Sequence, residues 1–202
     1  MRNAAAASIA IVCWAGLSIQ FAAALSHEHH ALATLWAPSR FFTITTNLLV
    51  ALAMTFVAIG RRLSPLLLGG LTVWLLLVGI VYGLLLRGLH PLNGPAATAN
   101  ILLHDVAPLL MLCWWLLFAP RSRLKWDAPL LWALYPIIYI GYVLARGRVD
   151  GRYPYPFMDV PKIGWVQTSM NLGGIAFGFL VFGFVVVWID RWRPLGSKRA
   201  NG

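Results

Sequence analysis

Six apolar runs, each long enough to cross about 30 Å of hydrocarbon, leave this chain few ways to fold. They lie near residues 4–25, 41–60, 66–86, 97–118, 128–145 and 165–189, joined by short basic connections. In lipid every backbone N–H and C=O must be satisfied internally, so each run is expected to be a helix. The fold class is therefore all-α, a single polytopic bundle of six transmembrane helices covering residues 1–202. Composition agrees: 60% of the residues are hydrophobic and 11% charged, too little polar surface for a soluble domain of this length.

The formal charge of +10 sits between the apolar runs and not in a separate basic domain, which excludes a nucleic-acid-binding class. It reads as topology and as contact with anionic lipid head groups. Arg2, Arg61, Arg62, Arg121, Arg123, Lys125, Arg191, Arg193, Lys198 and Arg199 fall at one end of the bundle. Arg40, Arg87, Arg146, Arg148, Arg152 and Lys162 fall at the other. The excess predicts that both termini are cytoplasmic. The first run, with Arg2 ahead of it and Ala22-Ala23-Ala24 near its end, also has the outline of a signal peptide; its length and Gln20 favour a retained span. In the last run Gln167, Asn171, Gly174 and Gly178 share one face, a pattern that predicts a helix-packing seam. Trp36, Trp126, Trp165, Trp188 and Trp192 lie near span ends, as an interfacial aromatic belt requires.

Polar groups inside the runs are few, and expensive at membrane depth, so they mark candidate sites. The fourth run opens with Asn100, His104 and Asp105, followed by Pro108. Pro108 has no N–H for the His104 carbonyl, so a bend is expected there. The second run opens with Arg40-Phe-Phe-Thr43-Ile-Thr45-Thr46-Asn47. Both runs begin at the same end of the bundle, which puts Thr43 and His104 in one leaflet. A hydroxyl becomes a nucleophile when a base takes its proton, and histidine is the usual base near neutral pH. Asn47 and Asn100, one turn from Thr43 and His104, are candidate donors for an oxyanion or substrate. Asp105 points about 100° around the helix from His104 and is expected to cap or to pair with a loop cation.

Other chemistry is thinly represented. His27-Glu28-His29-His30 could gather a metal ion, but no further ligand motif supports it, and no metal site is assigned. A single histidine within the spans cannot supply bis-histidine haem ligation, and no cofactor is expected. Cys13 and Cys113 lie within apolar runs without C-x-x-C spacing.

Three stretches resemble the androgen-induced protein family of six-span membrane proteins, in particular its bacterial branch. They are Arg40-Phe-Phe-Thr43 with Asn47, Asn100-x-x-x-His104, and Tyr153-Pro-Tyr155-Pro156-Phe-Met-Asp159 followed by Gly164-Trp165. The resemblance implies a threonine hydrolase acting on a lipid ester such as a fatty acid ester of a hydroxy fatty acid. It implies Thr43 as nucleophile, His104 as base, a lipid substrate drawn from the bilayer, and a bacterial plasma membrane location. The asparagine after the threonine comes one residue later than in the family, so Thr45 or Thr46 is an alternative counterpart of Thr43. Where the family often carries a second histidine, this chain has Ile101. In the outer loop Tyr153 and Tyr155, with Arg148 and Arg152, are candidates to hold an anionic head group. Two other classes stay open: a lipid- or partner-binding protein in which Thr43 and His104 merely bond helices, and a proton-coupled transporter.

Overall fold

The computed structural model describes residues 1–25, 36–89 and 91–192. Six helices account for most of them: α1 Arg2–Leu25, α2 Phe42–Ala58, α3 Pro65–Leu86, α4 Gly94–Phe118, α5 Ala128–Asp150 and α6 Val160–Trp192. Short 3₁₀ turns at Pro38–Arg40 and Pro156–Met158 precede α2 and α6. There is no strand among the described residues. Five helices, all but α2, are long and apolar enough to cross a membrane, so the chain reads as an integral membrane protein.

Local sequence explains where the helices stop. α3 starts at Ser64-Pro65, where Ser64 Oγ accepts the Leu67 N–H and Pro65 fills the first turn without wasting a donor. α2 is 17 residues, shorter than the 41–60 run suggested. It ends because Gly60 takes φ 89°. The Gly60 N–H then returns to the Val57 carbonyl and the Arg61 N–H to the Phe56 carbonyl. α5 runs past residue 145 to Asp150, because the Arg146 guanidinium is buried against the hydroxyls of Ser39 and Tyr142 and pairs along the helix with Asp150 at 3.3 Å. One charge that would end a span in lipid, that of Arg146, is thus absorbed by protein. α6 starts earlier than residue 165 and contains a break at Gly164 (φ 75°, ψ 164°).

The helix at the centre is α3, which packs on α2, α4, α5 and α6, while α1 lies against α2 and α4. Association of helices in lipid depends on close van der Waals fit, because no hydrophobic force drives it. α3 supplies that fit with glycine. The indole of Trp132 lies over Gly69 and Gly70. At Gly79 a Cβ would stand 3.0 Å from the His104 carbonyl oxygen and 3.3 Å from the Pro108 ring. Most of the apolar core, with Met54, Leu68, Leu71, Met111 and Trp115 fully buried, lies toward the ends of α2 and α4 remote from Thr43 and His104. A smaller cluster of Phe42, Tyr139, Val143 and Met158 sits beside them.

One sequence expectation fails here. The Gln167–Gly178 face is not a packing seam within the chain: Gly174 and Gly178 face open space. Gln167 instead bonds Asn171, and Asn171 donates to the Phe157 carbonyl, tying α6 to the turn before it. Where a bend is expected at Pro108, the helix carries a π turn over Leu102–Val106, which widens it just before the ring. His27, Glu28, His29 and His30 lie outside the described residues. The tryptophans at 36, 126, 165, 188 and 192 are all exposed.

Gly79→Val should drive α3 away from α4 at the His104 carbonyl, at a cost of about 1–3 kcal/mol for overpacking. A lower thermal unfolding midpoint in detergent is the expected result, whereas Gly178→Val, at a position open to lipid, should leave the midpoint unchanged.

Candidate functional site

Thr43 stands in the first turn of α2, and that position frees its hydroxyl. Threonines within helices usually bond the carbonyl one turn back, as Thr55, Thr72 and Thr168 do here with Ala51, Leu68 and Gly164. In the first turn there is no helical carbonyl one turn back. The Thr43 hydroxyl instead lies 3.0 Å from Nε2 of His104.

The partner of the other ring nitrogen decides what that contact means. Nδ1 of His104 is 3.1 Å from the Asn100 carbonyl oxygen. A carbonyl only accepts, so the proton of the neutral ring is on Nδ1 and Nε2 carries a lone pair. The Thr43 hydroxyl therefore donates to Nε2, the arrangement a general base needs. Tyr82 packs on the imidazole with ring centres 4.3 Å apart and the planes tilted by 35°, and the Arg87 guanidinium lies over the Tyr82 ring at 4.8 Å. The Tyr82 hydroxyl accepts from the Asn100 side-chain amide at 2.6 Å. Tyr82 and His104 both sit on π turns, Tyr82–Leu86 and Leu102–Val106. Asp105 turns away from the imidazole and pairs with Arg87.

The start of α2 is fixed by contacts from the α5–α6 loop. The Phe42 N–H, one of the donors that a helix start leaves without an internal partner, bonds the Tyr155 hydroxyl at 2.9 Å. The same hydroxyl interacts with those of Thr43 and Tyr139. Loss of hydration at this position raises the Tyr155 pKa above the ordinary tyrosine value, so the phenol keeps its proton. Arg40, three residues before Thr43, is buried. It reaches Asp150 at 3.0 Å and the Arg152 carbonyl at 3.0 Å, and its own carbonyl accepts from Tyr139 at 2.5 Å. α2 is thereby fastened to the end of α5.

Two cavities meet at Thr43. One is a cleft of about 410 Å³, with Thr43, His104, Asn100, Tyr82 and Gln20 among its lining and Leu86, Leu89 and Leu92 on its apolar wall. The other is an apolar slot of about 70 Å³ between Val78, Ile140, Phe157 and Leu172. Thr43, Leu86 and Tyr155 line both.

The structure sorts the sequence candidates clearly. Thr43, His104, Asn100 and Tyr155 come together. Thr45 and Thr46 turn the other way, to the Tyr135 hydroxyl at 2.9 and 3.2 Å, so neither faces the imidazole. Asn47 is corrected: its amide is fully buried and donates to the Thr43 and Leu103 carbonyls, which leaves nothing for a substrate. Cys13 lies 3.5 Å from the Asn47 side-chain oxygen, completing that tie between α1, α2 and α4. The head-group clamp is corrected as well. The Arg148 guanidinium lies over Trp165, Arg152 contributes its backbone to Asp150 and Arg40, and Tyr153 fills the space above Gly147. None of these three lines either cavity.

Tyr82, Arg40 and Gln20 were not among the sequence candidates. Arg40 had a signal in its place three residues before Thr43. Tyr82, in an otherwise apolar run, had none that told it from an interfacial tyrosine. Compared with models of known protein families, with curated proteins and with solved structures, the chain matches none.

Proposed function

We propose that this chain is a membrane hydrolase of lipid esters, with Thr43 as nucleophile and His104 as general base. The observation that carries the reading is the 3.0 Å contact between the Thr43 hydroxyl and an imidazole nitrogen whose lone pair is fixed by the Asn100 carbonyl, on the wall of a cleft. In the proposed bundle α2 is the sixth span, about 25 Å long at 1.5 Å per residue, and both termini are cytoplasmic. The reaction then takes place in the outer leaflet of a bacterial plasma membrane. A place in the androgen-induced protein family fits the same residues.

The steps follow from the geometry. Thr43 Oγ1 attacks the ester carbonyl carbon as its proton passes to His104 Nε2. The oxyanion forms beside the Tyr155 hydroxyl and the positive N-terminal end of α2, groups already oriented before reaction. Collapse expels the alcohol, which takes the proton from Nε2, and leaves an acyl ester on Thr43. Water then gives a proton to Nε2 as it attacks that ester, releasing the acid and restoring the hydroxyl. Apolar groups on the two sides of the ester have a place in the cleft and in the slot, which favours a lipid over a polar substrate. A proton-coupled transporter would need a polar path onward from His104. Below the site the core is mostly apolar, with Val50, Met54, Leu75 and Met111, and the buried polar groups of Asn47 and Thr72 are spent on backbone carbonyls.

Labelling of purified protein by a fluorophosphonate is the direct test. It should require Thr43 and His104, dropping at least about a hundredfold in Thr43→Ala and His104→Ala, and should survive in Thr45→Ala and Thr46→Ala. No labelling of folded wild type would sink the hydrolase reading and leave the pair as a bond between helices. Because only the neutral imidazole accepts a proton, labelling should be present at alkaline pH and fall away as the medium is acidified through the histidine range.

Tyr155→Phe removes both the cap on the Phe42 N–H and the phenol donor. A loss of about 10²–10³ in turnover is expected, with KM little changed. Leu172→Trp should fill the apolar slot and shift the acyl preference toward shorter chains, measured as kcat/KM over an ester length series.

A further inference from the structure

The end of the bundle remote from Thr43 holds another cleft, of about 490 Å³, which ester hydrolysis does not use. Arg2, at the start of α1, and Arg62, in the α2–α3 connection, both line it, and no carboxylate does. Neither guanidinium forms an ion pair among the described residues. The Nε of Arg2 is buried and has no hydrogen-bond partner. A charged donor buried in that way is costly unless something accepts from it.

Arg2 is also held in place. Its carbonyl accepts from the Trp114 indole at 3.1 Å, which fixes the first turn of α1 against the far end of α4. Pro65 adds the positive N-terminal end of α3 to the same cleft. The remaining wall is hydrocarbon: Val57, Leu63, Leu68 and Phe118. Two guanidiniums beside an apolar wall, at membrane-surface depth, fit an amphiphile with a phosphate head. Planar guanidinium donors match phosphate oxygens in pairs, and the excess of basic residues at this end attracts anionic lipid.

We infer that this cleft binds the phosphate of an anionic phospholipid from the adjacent leaflet. Arg2 and Arg62 bond the phosphate oxygens, and the glycerol and first acyl carbons lie along Leu63, Leu68 and Phe118. The inference uses none of the residues of the proposed hydrolase and stands apart from that reading.

The test is thermal unfolding of the full chain, purified and delipidated in detergent, with phosphatidylglycerol, phosphatidylcholine of the same acyl chains, or sodium phosphate at matched ionic strength. Wild type is compared with R2Q/R62Q and with R121Q/R123Q, which removes equal charge outside the cleft. Phosphatidylglycerol should raise the midpoint of wild type and of R121Q/R123Q by several degrees, saturably, and leave R2Q/R62Q unmoved. Phosphatidylcholine should move none of the three. Equal stabilisation of both double variants, or none of wild type, would overturn the inference. Free phosphate reproducing the whole shift would overturn the lipid assignment and make the ligand a soluble anion. Should R2Q/R62Q fail to fold, R62Q alone and native mass spectrometry of retained phosphatidylglycerol give the same comparison, with loss of bound lipid expected. Fluorophosphonate labelling of the cleft variants should match wild type, so failure of one reading is visible separately from failure of the other.

Discussion

A backbone carbonyl has no proton to offer, and the site depends on that restriction. The imidazole of His104 is held between the Asn100 carbonyl and the Thr43 hydroxyl. Because the first can only accept, the direction of the second is fixed. In many hydrolases a carboxylate orients the imidazole, and Asp105 is close enough in sequence to suggest one. It pairs instead with Arg87, outside the reach of the ring. A neutral carbonyl in this role leaves the neutral ring in the useful tautomer without placing another buried charge at membrane depth, where each ion is expensive. In the proposed hydrolysis the cost is a weaker pull on the imidazolium formed as Thr43 gives up its proton. Tyr82, packed on the ring at 4.3 Å between centres, restrains it in addition to those two hydrogen bonds.

The two helices that bring Thr43 and His104 together barely touch each other near the pair. Their placement comes from elsewhere. α4 is seated by α3, whose Gly79 lets the backbone approach the His104 carbonyl, and whose Tyr82 covers the ring. α2 is seated by the Arg40–Asp150 pair and by Tyr155 and Tyr139. Asn47 then bonds the Leu103 carbonyl and fixes the distance between the two. A side chain that looked like a substrate donor is thus a spacer. The distinction matters for the proposed hydrolysis, since a spacer sets whether the Thr43–His104 distance holds at 3.0 Å with substrate bound.

How much of this could be read from the sequence depends on the kind of signal. Hydrophobic length located all six helices to within a few residues, because the hydrocarbon thickness dictates it. The two largest errors have physical causes: Arg146, held by protein groups, lets α5 continue where charges should have ended it, and α6 begins with a turn from Val160 ahead of the break at Gly164. Position within a helix also carried information. Thr43 and His104 were legible as a pair because both runs start at the same end. The choice of Thr43 over Thr45 and Thr46 was not, since all three fall in the first turns of α2 and only packing tells which faces α4. Arg148, Arg152 and Tyr153 were misread for a related reason. A loop near a site offers many charged and aromatic residues, and the sequence does not say which of them tie the loop down.

The two ends of the bundle differ in how they handle polar groups, and the difference bears on function. At the Thr43 end nearly every buried polar atom has a partner from another helix: Thr46 with Tyr135, Asn100 with Tyr82, Arg40 with Asp150. Such a network stiffens a site and keeps a reactive pair aligned. The exception there is one nitrogen of Arg146, whose guanidinium lies over Trp36. At the other end Arg2 has a buried Nε without a partner, in a cleft with room beside it. A protein surrounded by lipid has a ready supply of phosphate oxygens at that depth. On the two proposals, with the arginine completed by lipid and the Thr43–His104 pair by protein, one end depends on its membrane and the other does not.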